Sequence, residues 1–434
     1  MSTTDALSQL GECSHLLNAV LKRVSWPALL AAESVSPGWR EMINCHYESV
    51  WIREWETMRV SSKMWRTLST RLKYHHRELF EGMEKGNAAC YRQACHCVER
   101  HIQAANQFGV NLHNSVGKIN FAHRDVTVLA VNEKYVYLNV PRDKMMVVNR
   151  WTGRLTKKFS YGHSVMHLAL NDQFLAVSLS NGDIVVYNSA NHSKIQTFSD
   201  INRRTTHCSG VCLGRDTLIS YIESIEKTKL KVNLRRLNPS SGCFGPHKTH
   251  SISVDFEEAI WKVKAYLSDK YLILDVFLDA CRREFRLYDL KSLEFVRKRS
   301  VIQGLAVQPA YNNGVIIMRY DSEDPGSYLA TWNVEEDTIT PLENLPPLSI
   351  KCNYVYSGTV THQPDFHYVI RSFYDGSTTL DVVSSAEGQR GKSSEVQHVS
   401  KYLRPHFHFT EKTFYFDGVQ CIFVGDGVHI INCI

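Results

Sequence analysis

Several features that would assign a function at once are missing from this 434-residue sequence. It contains no Gly-rich phosphate-binding loop, no Gly-x-Ser-x-Gly nucleophile motif and no His-Glu-x-x-His zinc motif. No stretch approaches the roughly 18 uninterrupted apolar residues that a membrane-spanning helix requires. The first twenty residues include Asp5 and Glu12 and lack an apolar run, so they do not resemble a signal peptide. We therefore expect a non-enzymatic protein of the cytoplasm, the nucleus or both, with no cofactor, no metal and no membrane partner.

An excess of charge of one sign is also missing. The formal net charge is +6, which is too small over this length to indicate a nucleic-acid partner. One stretch, from Thr57 to Arg77, has basic residues and no acid. Because Glu78, Glu81 and Glu84 follow directly, we interpret it as a solvated helix face, with contact to nucleic acid or acidic lipid as the alternative. Its basic residues are Arg59, Lys63, Arg66, Arg71, Lys73 and Arg77.

The twelve cysteines do not form a recognisable framework. They are scattered, and several lie in apolar runs, so reduced buried thiols are expected rather than disulfides. One cluster of Cys and His suggests zinc at first sight: Cys90, Cys95, His96, Cys97 and His101. On a helix, consecutive residues point about 100° apart, so Cys95, His96 and Cys97 do not converge on one tetrahedral ion. We expect a helix with Cys95 on its inner side and no metal.

What is present is the composition of a folded protein, with 43% apolar and 22% charged residues. A chain of this length exceeds the size of one ordinary core, so at least two domains are expected. The hydrophobic period changes near residue 116. Before it, apolar residues recur at intervals of three and four, which predicts helices. After it, short alternating runs are separated by Gly, Asn, Asp and Ser turns, which predicts strands.

The strand-forming half is also repetitive. One unit covers residues 163–200 and predicts four strands, at 165–170, 174–179, 184–187 and 195–198, with a turn at 181–183. Similar units begin near residues 126, 208, 259, 304, 353 and 402. Four strands in about 40 residues is the period of a propeller blade. Residues 117–434 would hold seven blades of about 45 residues, with six or eight as alternatives. A strand near 118–122 would close the ring against the last strand, at 428–434.

The N-terminal segment resembles the F-box, a three-helix module of about fifty residues. Three sequence stretches carry the resemblance: residues 16–24 (Leu-Leu-Asn-Ala-Val-Leu-Lys-Arg-Val), 25–30 (Ser-Trp-Pro-Ala-Leu-Leu) and 35–41 (Val-Ser-Pro-Gly-Trp-Arg-Glu). Trp51 and Trp55 extend the third predicted helix. The segment departs from the family at Gly11-Glu12-Cys13, where Leu-Pro is usual, and at Ser36, where Cys is common.

The C-terminal part is similar to a diverged WD-repeat propeller. Residues 181–188 (Asn-Gly-Asp-Ile-Val-Val-Tyr-Asn) match the family's Asp-Gly-x-Ile-x-x-Trp-Asp segment, and residues 286–289 and 330–333 match its end. The Gly162-His163 pair resembles the Gly-His of a full repeat. Together, the resemblances imply an F-box-like domain at 8–56, a helical linker at 57–116 and a propeller at 117–434.

These resemblances imply a substrate-recognition subunit of an SCF-type cullin–RING ubiquitin ligase. The F-box would dock on a Skp-type adaptor that binds a cullin scaffold, and the propeller would hold the protein to be ubiquitinated. A module this small leaves part of its apolar surface exposed, and exposed apolar patches mark interfaces. The residues expected to contact the adaptor are Leu17, Val20, Leu21, Val24, Pro27, Leu29, Leu30, Val35 and Trp39. The alternative is that these side chains form the core of an ordinary helical bundle.

Propellers usually bind partners through loops on one face, and the predicted blades place six basic residues in such loops. They are Arg142, Arg203, Arg204, Lys227, Arg282 and Arg283. Arginines in a cluster bind acidic or phosphorylated segments through paired hydrogen bonds, so we expect an acidic or phosphorylated protein substrate. Dispersed, solvated charges are the alternative. At the level of the whole chain, the other hypotheses are a propeller scaffold without ubiquitin transfer and a propeller enzyme, which the missing catalytic motifs disfavour.

Overall fold

The structure is a computed structural model, and two compact units divide the chain at residues 109 and 110. Their elements are described separately below. The residues described are 23, 26–35, 37, 40, 43, 48–61, 63–106, 114–119, 126–140, 144–199, 206–224, 226–245, 250–268, 270–278, 282–302, 307–308, 310–312, 315–321, 327–341, 352–359, 366–373, 378–384, 392–395, 414–416, 420–424 and 428–432.

The N-terminal unit is helical. Its described helices are α1 (Trp26–Val35), α2 (Glu48–Ser61), α3 (Lys63–His75), α4 (Arg77–Glu84) and α5 (Ala88–Asn106). Helix α1 begins next to Pro27, which suits a first turn because its missing N–H has no helical partner there. Gly86 separates α4 from α5 with a left-handed φ of 77°, and the Asn87 side chain then caps α5 by accepting from the Ala89 amide at 3.0 Å.

Three tryptophans form the centre of the helical core. Trp51, Trp55 and Trp65 are all buried, and the rings of Trp55 and Trp65 meet edge to face with centroids 5.4 Å apart. Cys95 of α5 is also completely buried, as expected for the inner side of that helix. Burial raises the pKa of its thiol to about 12, which keeps it protonated and unreactive. Across the described part of the chain, no helix combines the length and apolar character needed to cross a membrane.

The second unit consists of strands. The first half comprises β1 (Asn114–Ile119), β2 (Thr127–Val131), β3 (Tyr135–Val140), β4 (Lys144–Asn149), β5 (Leu155–Ser160), β6 (Val165–Leu170), β7 (Phe174–Leu179), β8 (Asp183–Asn188), β9 (Lys194–Ser199), β10 (Thr206–Leu213), β11 (Thr217–Ser224), β12 (Lys229–Asn238), β13 (Cys243–Phe244) and β14 (His250–Asp255). The second half comprises β15 (Lys262–Leu267), β16 (Tyr271–Phe277), β17 (Arg282–Asp289), β18 (Phe295–Ile302), β19 (Val307–Gln308), β20 (Ala310–Asn312), β21 (Val315–Asp321), β22 (Ser327–Asn333), β23 (Thr338–Pro341), β24 (Cys352–Thr359), β25 (Phe366–Phe373), β26 (Thr378–Ser384), β27 (Lys392–Glu395), β28 (Phe414–Phe416), β29 (Gln420–Val424) and β30 (Val428–Asn432).

The described strands form seven sheets, which follow one another along the chain. In each sheet four strands run antiparallel to their neighbours, and two sheets carry a further short strand, β13 or β19. The sheets are β2–β5, β6–β9, β10–β14, β15–β18, β20–β23, β24–β27 with β19, and β28–β30 with β1.

The last sheet joins the two ends of this unit. Strand β1 pairs antiparallel with β30, with Lys118 opposite His429. The predicted closure is therefore confirmed, although the closing strand begins at Asn114 rather than near residue 118. A succession of four-stranded antiparallel sheets that closes on its first strand is the architecture of a β-propeller. Seven as the number of blades stays a prediction.

Apolar clusters hold neighbouring sheets together. Val128 and Val136 pack with Ile422 and Val428, which joins the β2–β5 sheet to the closing sheet. Equivalent clusters join each described sheet to the next as far as Trp332 of β22. The sheets from β2 to β18 thus bury both faces against their neighbours, which explains why their central strands have long runs of buried residues.

One turn recurs in five sheets, always after the third strand. The strand ends at Asn or Asp, whose side-chain oxygen accepts from the amide two residues later at 2.9–3.0 Å. Four residues after that Asn or Asp, the chain adopts a left-handed conformation with φ between 57° and 66°. The capping residues are Asn149, Asn188, Asn238, Asp289 and Asn333, and the left-handed residues are Gly153, His192, Gly242, Leu293 and Asp337. The last residue of each segment that resembles a WD repeat (Asn188, Asp289 or Asn333) thus caps a turn.

Candidate binding cleft

One end of two neighbouring sheets brings together three of the predicted binding residues. Lys227 lies in the turn between β11 and β12, and Arg282 and Arg283 begin β17. The loop 256–261 runs between them. Its Phe256 amide donates to the Thr228 carbonyl at 2.8 Å, and its Ile260 amide donates to the Lys227 carbonyl at 2.9 Å. We call this end the connection end, because the links between successive sheets leave from it.

A cleft of about 290 Å³ opens at the connection end of the β15–β18 sheet. Its lining combines two apolar residues with both signs of charge, and Ser300 completes it. The apolar residues are Phe256 and Leu278; the charged residues are Glu257, Glu258, Arg282, Arg283, Glu284, Arg286 and Lys298. This volume lies near the lower limit of small-ligand sites, so it suits one or two side chains of a partner.

The innermost ion pair of the cleft joins Arg283 to Asp275 on the neighbouring strand. Nε and Nη2 of Arg283 donate to the two carboxylate oxygens of Asp275, and both side chains are at most 1% exposed. The guanidinium also lies over the Phe277 ring, 4.0 Å from its centroid. Among the described residues, Nη1 of Arg283 has no hydrogen-bond partner. The guanidinium is therefore held in place at the base of the cleft, and Asp275 balances its charge.

A second buried carboxylate, Glu284, holds two cations on the wall of the cleft. Arg286 donates to Glu284, and Lys298 lies 3.5 Å from its other oxygen. Arg286 also donates to the Asp255 carbonyl at 2.9 Å and lies over the Phe256 ring. The Glu284 and Arg286 side chains are only 5% and 16% exposed, so their pair is part of the fold. Lys298 joins it from the surface, with its side chain 51% exposed.

A third paired carboxylate, Glu258, lies at the mouth of the cleft and is open to solvent. Arg282 donates to both oxygens of Glu258, at 3.3 and 2.7 Å, and the two side chains are 53% and 55% exposed. Close in the chain, Trp261 begins the approach to β15 with its ring 63% exposed. Its amide donates to the Phe277 carbonyl at 2.8 Å, so it lies at the connection end too. An exposed tryptophan is unusual outside an interface.

The structure corrects two residue predictions. Arg283 was expected on an exposed binding loop, but it is buried because Asp275 neutralises it inside the sheet. Leu29 was expected on the adaptor-contacting surface, but its side chain is fully buried in the helical unit. Among the described lining residues, Arg282 keeps the expected exposure, and Lys227 is exposed in the adjoining turn.

Several predicted residues lie where the structure gives no placement. Arg142, Arg203 and Arg204 are outside the described residues, as are Leu17, Val20, Leu21, Val24 and Trp39. Pro27, Leu30 and Val35 belong to helix α1, but their side chains are not among those described.

Sequence reasoning missed a cluster in the helical unit that ties α1 to α5. The buried Glu33 of α1 accepts from Arg92 at 2.7 and 3.0 Å and lies 3.0 Å from Nε2 of His96. Burial opposes ionisation of Glu33, but its bonds to His96 and Arg92 outweigh burial and lower its pKa. His96, one of the residues set aside as a zinc ligand, is thus engaged with Glu33. The described residues contain no group of three or more His, Cys, Asp and Glu side chains arranged for a metal ion.

Comparisons with known proteins assign no family to this chain. No protein-family model and no curated protein sequence matches this chain. Among solved structures, the Pan2 WD40 domain of Neurospora crassa is 9% identical, with 74% of this chain and 95% of that domain covered and a TM-score of 0.48. The WD40 domain of SCAP from fission yeast is 10% identical, with 71% and 80% covered and a TM-score of 0.43. The RRP9 WD40 repeats are 13% identical, with 73% and 99% covered and a TM-score of 0.44.

Proposed function

We propose that this chain is a non-catalytic substrate-recognition subunit of an SCF-type cullin–RING ubiquitin ligase. The observation that carries the proposal is the order of its parts. A helical unit containing the F-box-like segment precedes a propeller whose connection end has a charged cleft and an exposed tryptophan. The first part would recruit a Skp-type adaptor and cullin, and the second would hold an acidic or phosphorylated protein in the cytoplasm, the nucleus or both.

Adaptor docking is assigned to the F-box-like helices. A stable contact would bury about 1,600 Å² in total, so it needs several exposed apolar side chains. Because Leu29 is buried, it would support the helix from inside rather than contact the adaptor. The contact is therefore assigned to Leu17, Val20, Leu21, Val24, Pro27, Leu30, Val35 and Trp39.

The helices of the predicted linker would support this role by holding the docking helices in place. Helices α2 to α5 belong to the same compact unit as α1. The bonds from Arg92 and His96 to Glu33 hold α1 against α5. A docking helix fixed in this way would keep one orientation within the helical unit.

Co-purification tests the proposal. Tagged full-length protein should recover the Skp-type adaptor and a cullin from cells, and the double variant Leu21→Asp/Trp39→Ala should recover neither while its propeller stays folded. Leu155→Asp is the matched control, because it places an acid on an exposed apolar position of the propeller and should leave recovery unchanged. Full-length protein that recovers no adaptor and no cullin would refute the ligase role.

The second candidate function is a scaffold that assembles protein complexes without ubiquitin transfer. The paired charges of the cleft favour this function, because they could bind a protein partner whether or not that partner is ubiquitinated. Turnover of a partner bound by the propeller distinguishes the two. The ligase role requires that deleting residues 1–56 slows degradation of that partner, whereas a scaffold leaves its half-life unchanged.

A further inference from the structure

The three paired carboxylates of the cleft are not equivalent. Asp275 and Glu284 are buried carboxylates, so removing either from its arginine would leave an uncompensated charge inside the sheet. Glu258 is different, because it and Arg282 are both more than half exposed. Exposed pairs of this kind contribute little to stability and exchange readily with water and with other ions. Among the paired carboxylates of the described cleft, Glu258 is therefore the one that a partner can replace.

Replacement requires no rearrangement of the backbone. The loop that carries Glu258 is tied at Phe256, Ile260 and Trp261 by backbone hydrogen bonds of 2.8–2.9 Å. The Glu258 carboxylate would have to leave Arg282, and these backbone bonds can stay as they are. An incoming carboxylate or phosphate would then find the Arg282 guanidinium already presented for a paired contact.

The surroundings favour an anion at this place. Beneath this place, Nη1 of the buried Arg283 is a donor without a hydrogen-bond partner among the described residues. Phe256 and Leu278 give apolar contact to the carbon chain of the incoming residue, and the volume of about 290 Å³ limits it to one or two side chains. The exposed ring of Trp261 offers an anchor for the flanking residues of the segment.

We propose that Glu258 is an intramolecular competitor, which occupies on Arg282 the position that an anionic side chain of the bound protein segment takes. The partner is a protein segment with a carboxylate or phosphate that displaces Glu258. This proposal deepens the proposed function, since it rests on the propeller as the substrate-binding unit. It makes Glu258 a specificity residue, because weakly anionic segments do not displace it.

Small anions test the proposal on the full-length protein. The probes are O-phosphoserine and glutarate, which represent the phosphate and carboxylate sources. Serine, which lacks the phosphate and has no net charge, is the control. Binding is measured by line broadening in phosphorus NMR for O-phosphoserine and by saturation transfer for glutarate. Melting curves check that every variant is folded.

Glu258→Gln should bind O-phosphoserine, glutarate or both about two- to fivefold more tightly than the unmodified protein, equivalent to about 0.4–1 kcal/mol. Arg282→Gln should weaken binding at least about fivefold. Glu257→Gln is the matched control, because it removes the same charge from the same cleft without touching Arg282, and it should change affinity less than 1.5-fold. The probe whose affinity increases more indicates whether the partner supplies a phosphate or a carboxylate.

Three outcomes would overturn the proposal. They are equal gains for Glu257→Gln and Glu258→Gln, retained binding in Arg282→Gln, and no binding of either anion by Glu258→Gln. None of these depends on the adaptor, which is recovered through the helical unit. Failure here with normal adaptor recovery rejects the competitor alone, whereas lost adaptor recovery with normal anion binding rejects the ligase role alone.

Discussion

The two ends of the β15–β18 sheet differ in kind. At one end, Asp289 caps the turn to β18 in the same way as Asn149, Asn188, Asn238 and Asn333 cap theirs, and Leu293 takes the left-handed position. At the connection end, the same sheet carries an arginine-rich cleft and an exposed tryptophan. The first end carries the turn that recurs in five of the described sheets, whereas the second carries the cleft.

This contrast separates architecture from candidate function. A feature that returns at the same position in five sheets serves the blade, because each blade must make the same tight turn. A cleft lined by charged side chains has no such explanation and is the better candidate for recognition. Three changes probe the contrast in order of expected effect.

The largest effect is expected for Asp275→Ala at the base of the cleft. It leaves Arg283 charged and buried without its partner, which should cost about 3–5 kcal/mol of the free energy of unfolding of the propeller. Urea unfolding followed by circular dichroism measures it. The double variant Asp275→Ala/Arg283→Met should recover most of the loss, and a loss below about 1 kcal/mol in the single variant would show that the pair is not structural.

A smaller loss of stability is expected when the pH is lowered, because of a histidine in the repeated turn of the β6–β9 sheet. His192 takes the left-handed position there, and its Nε2 lies 3.1 Å from the Tyr137 hydroxyl. Burial, with the charges of Lys157 and Lys134, lowers its pKa from 6.5 to about 4. Between those values the unfolded chain takes up a proton that the folded chain does not, so stability should fall as pH drops from 6.5 to 4.

The variant His192→Asn tests the assignment, since Asn tolerates a left-handed backbone. It should lower stability at neutral pH and flatten the slope of melting temperature between pH 6.5 and 4. An unchanged slope would assign the acid sensitivity to other groups.

The smallest effect is expected for Asp289→Ala at the turn end of the β15–β18 sheet. Its carboxylate accepts from the Lys291 and Ser292 amides at 2.9 Å, and those bonds lower its pKa. Loss of the cap should cost about 1 kcal/mol. Asp289→Asn is the matched control, because Asn fills this position in the other four sheets, and it should cost less than half as much. Equal costs for the two variants would contradict the capping role.

Local patterns in the sequence predicted much of the fold. The strands Val165–Leu170 and Phe174–Leu179 have the predicted bounds, because alternation and turn residues are readable within a few positions. The turn cap was also visible as the last residue of the WD-like motif. The change from helices to strands was expected near residue 116, and β1 begins at Asn114.

The site depended on contacts that the sequence does not display. Arg283 is buried because the register of β16 and β17 makes it a diagonal neighbour of Asp275. The sequence of either strand alone does not determine this register. Leu29 belongs to an apolar stripe, but a stripe does not tell whether it faces its own unit or a partner. Trp261 follows two glutamates and one apolar pair in a loop, a pattern that gives no sign of its exposure.

Site-specific photocrosslinking tests the central claim most directly, since one sheet offers an exposed aromatic residue at each end. Trp261 is 63% exposed at the connection end and Phe295 is 57% exposed at the turn end. Benzoylphenylalanine is placed at one position or the other, and the full-length protein is irradiated in cells. The variant at position 261 should form a discrete crosslinked protein adduct, and the variant at position 295 should form none. Equal capture at both positions, or capture from 295 alone, would contradict recognition at the connection end.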